Sequence, residues 1–167
     1  MVKKSRELII VLDNVRSIYN VGSIFRTAEA LGVSKLILGG ITPFPSIKND
    51  ARLPHIKARV DKAINKTALG SQFNINYEYI EDVISVLKEY QSQNYQITVL
   101  EQAPNSINLS NFKPSSKLVM VVGNELDGVS LEIIKFADQI IEIQLPGKKE
   151  SLNVAQACAI AIYQVLS

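Results

Sequence analysis

Three stretches of the chain bring together residue types able to hold and polarise a small polar ligand. The first is Asn14-Val15-Arg16-Ser17-Ile18-Tyr19-Asn20-Val21-Gly22-Ser23-Ile24-Phe25-Arg26-Thr27-Ala28-Glu29-Ala30-Leu31-Gly32. Its spacing predicts a helix over 21–31, with Asn20 as N-cap and Gly32 in a left-handed C-terminal position. Val21, Ile24, Phe25, Ala28 and Leu31 form the apolar stripe, and Arg26 falls opposite with Ser23 and Ala30. The planar fork of Arg26 suits a phosphate or a carboxylate, although taken alone it reads equally as a surface arginine.

The second stretch, Val122-Gly123-Asn124-Glu125-Leu126-Asp127-Gly128-Val129-Ser130, follows the most hydrophobic run of the chain. A glycine at a strand end lets backbone approach a ligand closely, and Glu125 sits where the mouth of a site is expected. A turn with an exposed acid would read the same way. No G-x-G-x-x-G or Walker A pattern occurs, so dinucleotide and triphosphate readings have no support. The third stretch, Ile143-Gln144-Leu145-Pro146-Gly147-Lys148-Lys149-Glu150-Ser151-Leu152-Asn153-Val154-Ala155-Gln156-Ala157, opens the last helix. Ser151 is the expected N-cap, which would present free amides and a positive helix end to an anionic group. Capping alone would also account for Ser151 and Asn153. Cys158, within this helix, reads as core packing.

Positioning these residues takes strands alternating with helices. Leu8-Ile9-Ile10-Val11-Leu12, Leu36-Ile37-Leu38, 76–80, Tyr95 to Leu100, Leu118-Val119-Met120-Val121-Val122 and 139–144 read as strands. Helices are predicted over 21–31, within 56–69, over 81–92, near 130–136 and from Ser151 onward. The expected fold is α/β, a mainly parallel sheet with helices on both faces, in one domain over 1–167. The segment 39–55, with Pro43, Pro45 and Pro54, resists regular structure, and a long loop after a strand points to function. The last helix is apolar nearly all round and so is expected to be covered on more than one side, one of them by a second subunit.

Composition bounds the rest. The 167 residues are 47% hydrophobic with one cysteine and one histidine, which allows neither an internal disulfide nor a conventional zinc site. Neither a membrane span nor a secretory signal is readable, so a cytoplasmic, metal-free protein is expected. The formal charge of +2 is unevenly spread. Residues 1–6 and 48–66 hold nine basic and two acidic residues, and the remainder holds nine basic and fourteen acidic. Such a basic segment on an acidic body fits a polyanion, or equally a solvated helix face.

Together the three stretches resemble the motifs of the SPOUT methyltransferases, TrmH-like branch. The matching residues are Asn20-x-Gly22-x-x-x-Arg26-Thr27-Ala28-Glu29-Ala30-x-Gly32, then Gly123-Asn124-Glu125-x-x-Gly128, then Ser151-Leu152-Asn153-Val154. Lys66-Thr67-Ala68-Leu69-Gly70 resembles the branch's middle region. The resemblance implies methylation of a ribose 2′-hydroxyl in tRNA or rRNA with S-adenosylmethionine as cofactor. It further implies a C-terminal trefoil knot and a homodimer with a composite active site. Gly123, Ile143, Leu145 and Leu152 are carried over as cofactor-binding residues. Asn20, Arg26, Glu125, Ser151 and Asn153 are carried over as the catalytic set.

A ribose hydroxyl is a poor nucleophile, so such an enzyme must align oxygen, methyl and sulfur and stabilise charge developing on the oxygen. Arg26 is expected to clamp the adjoining phosphate and steady the 2′-oxygen, with Asn20 and Glu125 orienting it. A protonated guanidinium cannot accept the proton, which argues against a simple general-base role. Many relatives carry an extra RNA-binding domain; here none is expected, and RNA recognition falls to Arg52, His55, Lys57, Arg59 and Lys62. Two alternatives stand beside this reading: a non-catalytic RNA-binding module on a related scaffold, and a small α/β domain binding an unrelated metabolite.

Overall fold

The apolar run at the start of the chain becomes β1 (Glu7–Asp13), every residue of which after Glu7 is buried. The computed structural model describes residues 6–167, so Lys3 and Lys4 of the amino-terminal basic cluster lie outside the described residues. Six further strands follow: β2 (Lys35–Gly39), β3 (Tyr77–Ile80), β4 (Gln96–Leu100), β5 (Ile107–Asn108), β6 (Lys117–Val122) and β7 (Gln139–Glu142). They form one sheet in the order β3-β2-β1-β6-β4-β7-β5, and all six pairings are parallel. The two-residue β5 was not expected; it is too short to show periodicity.

The helices are α1 (Ile18–Leu31), α2 (Pro54–Ala68), α3 (Val83–Ser92), α4 (Leu131–Phe136) and α5 (Val154–Leu166). Side chains alternate across the sheet, which explains two cores. Leu8, Ile10, Leu12, Leu36, Leu38 and Met120 face α1, α2 and α5. Ile9, Val11, Ile37, Val99, Val119 and Val121 face α3 and α4. Coverage on both faces is what the near-continuous apolar strands predict.

Two predicted caps are corrected. Helix α1 starts at Ile18 because Ser17, three residues before Asn20, accepts the Asn20 N–H on its hydroxyl and is the N-cap. Helix α5 is capped by Asn153, whose Oδ1 accepts the N–H groups of Ala155 and Gln156, and Ser151 lies outside the helix. Gly32 takes the left-handed conformation predicted for it, at φ 79°.

The loop between β2 and α2 is braced. Phe44 stacks on Tyr79 with ring centres 4.0 Å apart, and the Arg52 guanidinium lies 3.8 Å over Phe44. Arg52 also donates to Asp50 and to the carbonyl oxygens of Phe44 and Pro45. Arg6 likewise donates to the carbonyls of Ser115 and Val165. Both guanidiniums brace the chain itself, which removes them from the exposed basic surface that the charge count implied.

Candidate active site

Parallel strands end at one edge of a sheet, and ligand sites form there. Here the carboxyl ends of β4, β6 and β7 bring Leu100, Glu101, Val122, Gly123, Glu142 and Ile143 around a cavity of about 450 Å³. The approach to α5 closes it with Leu145, Ser151, Leu152, Asn153 and Ala157. All four predicted cofactor residues, Gly123, Ile143, Leu145 and Leu152, line this cavity, as do Glu125, Ser151 and Asn153.

The turn after β6 is locked before it meets any ligand. Asn124 and Gly128 exchange both backbone hydrogen bonds at 3.0 Å. The Asn124 side chain accepts from the N–H groups of Leu126 and Asp127 and donates to the carbonyl of Asn14 at 2.9 Å. A side chain at Gly123 would run into the backbone of Gly128 and Val129, so the glycine is required by the turn folding back on itself. Buried Asp13, at the end of β1, accepts the Ser130 N–H at 3.0 Å and anchors the far end of the turn.

This anchoring aims Glu125 at the start of α1. Its carboxylate accepts from the N–H of Arg16, the N–H of Ser17 and the side-chain amide of Asn20, each at 3.0 Å. Partial burial pushes the Glu125 carboxyl up, but these three donors, with its own backbone N–H, outweigh it and hold the group below the usual carboxylate range. Asn20 in turn accepts from the Asn153 amide at 3.1 Å. Residues from all three motifs therefore meet in one hydrogen-bonded chain at the cavity mouth.

The cavity's chemistry is selective. Glu101, Glu125 and Glu142 line it and, among the described residues, no lysine or arginine does, while Leu100, Val122, Ile143, Leu145 and Leu152 supply apolar surface. That combination favours a ligand with a flat apolar part and a net positive charge. Glu101 was not predicted. It accepts the Val129 N–H at 3.1 Å and the Gln102 N–H at 2.9 Å, holding the turn as well as lining the cavity.

Arg26 is not brought to this cavity. It is exposed on α1 and lines a separate groove with Ser23, Thr27, Lys66 and Thr67. His55, Arg59 and Lys62 are exposed on α2 and Lys57 is half-buried there, whereas Arg52 is held in the loop. Cys158 is buried, and burial pushes its thiol up to about 12, which suits the packing role read for it.

Residues 7–163 match the model of the SpoU rRNA Methylase family. The tRNA (guanosine(18)-2′-O)-methyltransferase of Aquifex aeolicus is 31% identical over 162 residues, which cover 97% of this chain and 70% of that enzyme. The 23S rRNA (guanosine-2′-O-)-methyltransferase RlmB of Xylella fastidiosa is 27% identical over 95% of this chain and 58% of its own length. Among solved structures, an A. aeolicus TrmH/SpoU tRNA modifying enzyme superposes with a TM-score of 0.78 at 28% identity, over 98% of this chain and 77% of that one. An AdoMet-bound rRNA methyltransferase from Sinorhizobium meliloti gives 0.79 at 25% identity, over 96% of this chain and 56% of that one.

Proposed function

Since the chain belongs to the SpoU rRNA methylase family, we propose that it transfers a methyl group from S-adenosylmethionine to a ribose 2′-hydroxyl of a tRNA or rRNA. The observation that carries this reading is the Glu125–Asn20–Asn153 chain at the mouth of a cavity lined, among the described residues, by acids and no bases. The cofactor, when bound, supplies an electrophilic methyl group on a cationic sulfur. Leu100, Ile143, Leu145 and Leu152 fit its flat base, and Glu101 and Glu142 fit its positive charge. Ser151 and Asn153 shape the opening through which the ribose would enter. A non-catalytic RNA module would need neither this cavity nor its charge.

Arg26 lines a groove apart from its own cavity, and α5 leaves Ile160 and Tyr163 exposed. Both observations support a homodimer in which Arg26 of one protomer serves the cavity of its partner. There the guanidinium holds the phosphate next to the target ribose and stabilises the negative charge that develops on the 2′-oxygen. We further infer the family's carboxyl-terminal knot; α5 returning across the sheet to pack on α1 supports it. A cytoplasmic site of action accompanies the RNA substrate.

Incubation with labelled S-adenosylmethionine and total RNA, followed by nucleotide mapping, tests the proposal. A methyl on one ribose oxygen is expected. A methyl on a base nitrogen, or RNA binding with no affinity for the cofactor, would overturn it.

A further inference from the structure

One face of α2 carries an inference that rests on the RNA reading above. At 3.6 residues per turn, His55, Arg59, Lys62 and Lys66 fall within an arc of about 60°, and all four are exposed. Ile64 and Ala68 are fully buried on the other side of the helix. Both acids of the 48–66 segment are held elsewhere. Asp61 accepts from the Ser46 N–H at 2.7 Å and the Ser46 hydroxyl at 2.5 Å, and Asp50 pairs with Arg52 at 2.6 Å. Among the described residues, Arg26, Arg59, Lys62 and Lys66 have no ion-pair partner. Like charges one helical turn apart repel, and a polyanion laid along them relieves the repulsion.

The row does not stop at the end of α2. Lys66 and Thr67 share a surface groove with Arg26. The Lys66 ammonium lies 5.5 Å from the ring centre of Tyr19, which is half-exposed. From His55 to Lys66 the row spans about 16 Å, and it then runs into the arginine that the proposed reaction uses.

We propose that Arg59, Lys62 and Lys66 form a track for the RNA backbone, taking successive phosphates of the strand whose target ribose is presented at Arg26. Tyr19 offers its ring to a neighbouring base. Contacts of this kind position a strand without reading its sequence. Arg52 is excluded by its pairing with Asp50, and Lys57 by falling on the opposite side of the helix.

The test compares salt dependence of RNA affinity for the full chain, using in-vitro transcripts of tRNA and of rRNA fragments. The variants are Arg59→Gln/Lys62→Gln/Lys66→Gln and, as control, Lys88→Gln/Lys135→Gln, whose exposed lysines lie on α3 and α4 across the sheet. The slope of log affinity against log salt is expected to fall by about 0.7 per contact removed, so by roughly 2 in the triple variant. S-Adenosylmethionine affinity stays unchanged, and Lys62→Arg/Lys66→Arg keeps the full slope. A triple-variant slope equal to the control's overturns the track; if the wild type still methylates ribose, the proposed function survives that result. A slope lost in the triple variant, beside a wild type that transfers no methyl group, keeps the track and overturns the activity.

Discussion

The side-chain amide of Asn20 joins the first helix to the last: its Oδ1 accepts from Asn153 Nδ2 at 3.1 Å, across 133 residues of chain. Its other end donates to Glu125, so a helix, a turn and a helix cap are held by one side chain. Each partner has a second duty. Asn153 caps α5 with the same amide whose nitrogen reaches Asn20, and Glu125 binds the backbone that opens α1.

The two duties of Asn153 can be separated. Asn153→Ala removes the cap and is expected to destabilise the chain by about 1 kcal/mol. Asn153→Asp keeps the cap but has no N–H for Asn20 and adds a charge beside Glu125. Methyl transfer should fall sharply in both, while urea unfolding separates them. A fully active Asn153→Asp would show that the Asn20 contact is dispensable.

Glu125 sets an acid-side pH dependence. Its folded-state pKa lies below its unfolded value. The stabilisation is therefore present above the ordinary carboxylate range and lost as pH falls through the folded value. Between about pH 5 and pH 2, wild type should lose stability more steeply than Glu125→Gln. Denaturation midpoints across that range check it, and parallel curves would refute the assignment.

Arg26 should matter to activity and not to folding. It is exposed and makes no hydrogen bond or ion pair among the described residues. Arg26→Ala is expected within about 0.5 kcal/mol of wild-type stability and down by about 10²–10³-fold in methyl transfer. Mixing Arg26→Ala with Glu125→Gln protomers should restore about a quarter of wild-type activity, because half of the pairs are mixed and each holds one complete site. No recovery on mixing would mean that each chain completes its own site.

Gly22 is needed where helices touch. Alanine in a helix usually stabilises relative to glycine by about 1 kcal/mol. Here a Cβ would lie 2.5 Å from the Ile64 carbonyl oxygen and closer still to the Thr67 hydroxyl. Gly22→Ala should therefore destabilise by about 1–3 kcal/mol through overpacking. Adding Thr67→Ala should not rescue it, since the Ile64 carbonyl remains. Equilibrium unfolding decides the sign.

Much of this was legible because buried parallel strands write themselves as apolar runs. Leu8 to Leu12 and Leu118 to Val122 became β1 and β6, side by side at the centre of the sheet. Pro43 and Pro45 marked the loop after β2, but Pro54, read as part of that loop with His55, opens α2, because a proline's missing N–H costs nothing in a first helical turn. The errors came from residues whose partners are distant or outcompeted. Asn20 looked like a cap because local rules cannot see Glu125 and Asn153, while Ser17 stood closer to the helix start. Arg52 counted as a free cation, although Asp50 two residues earlier was a readable partner. Glu101 follows the end of β4, where the rule that singled out Glu125 would also have found it.

The order of the walls of the cavity has a consequence for folding. Every strand lies at or before Glu142, but Leu145, Ser151, Leu152, Asn153 and Ala157 come after it. A chain that has paired its whole sheet still lacks one side of the cavity until the segment after Glu142 packs. Ligand competence thus depends on residues that follow every strand, and a chain cut at Glu142 would keep each strand but lose this wall.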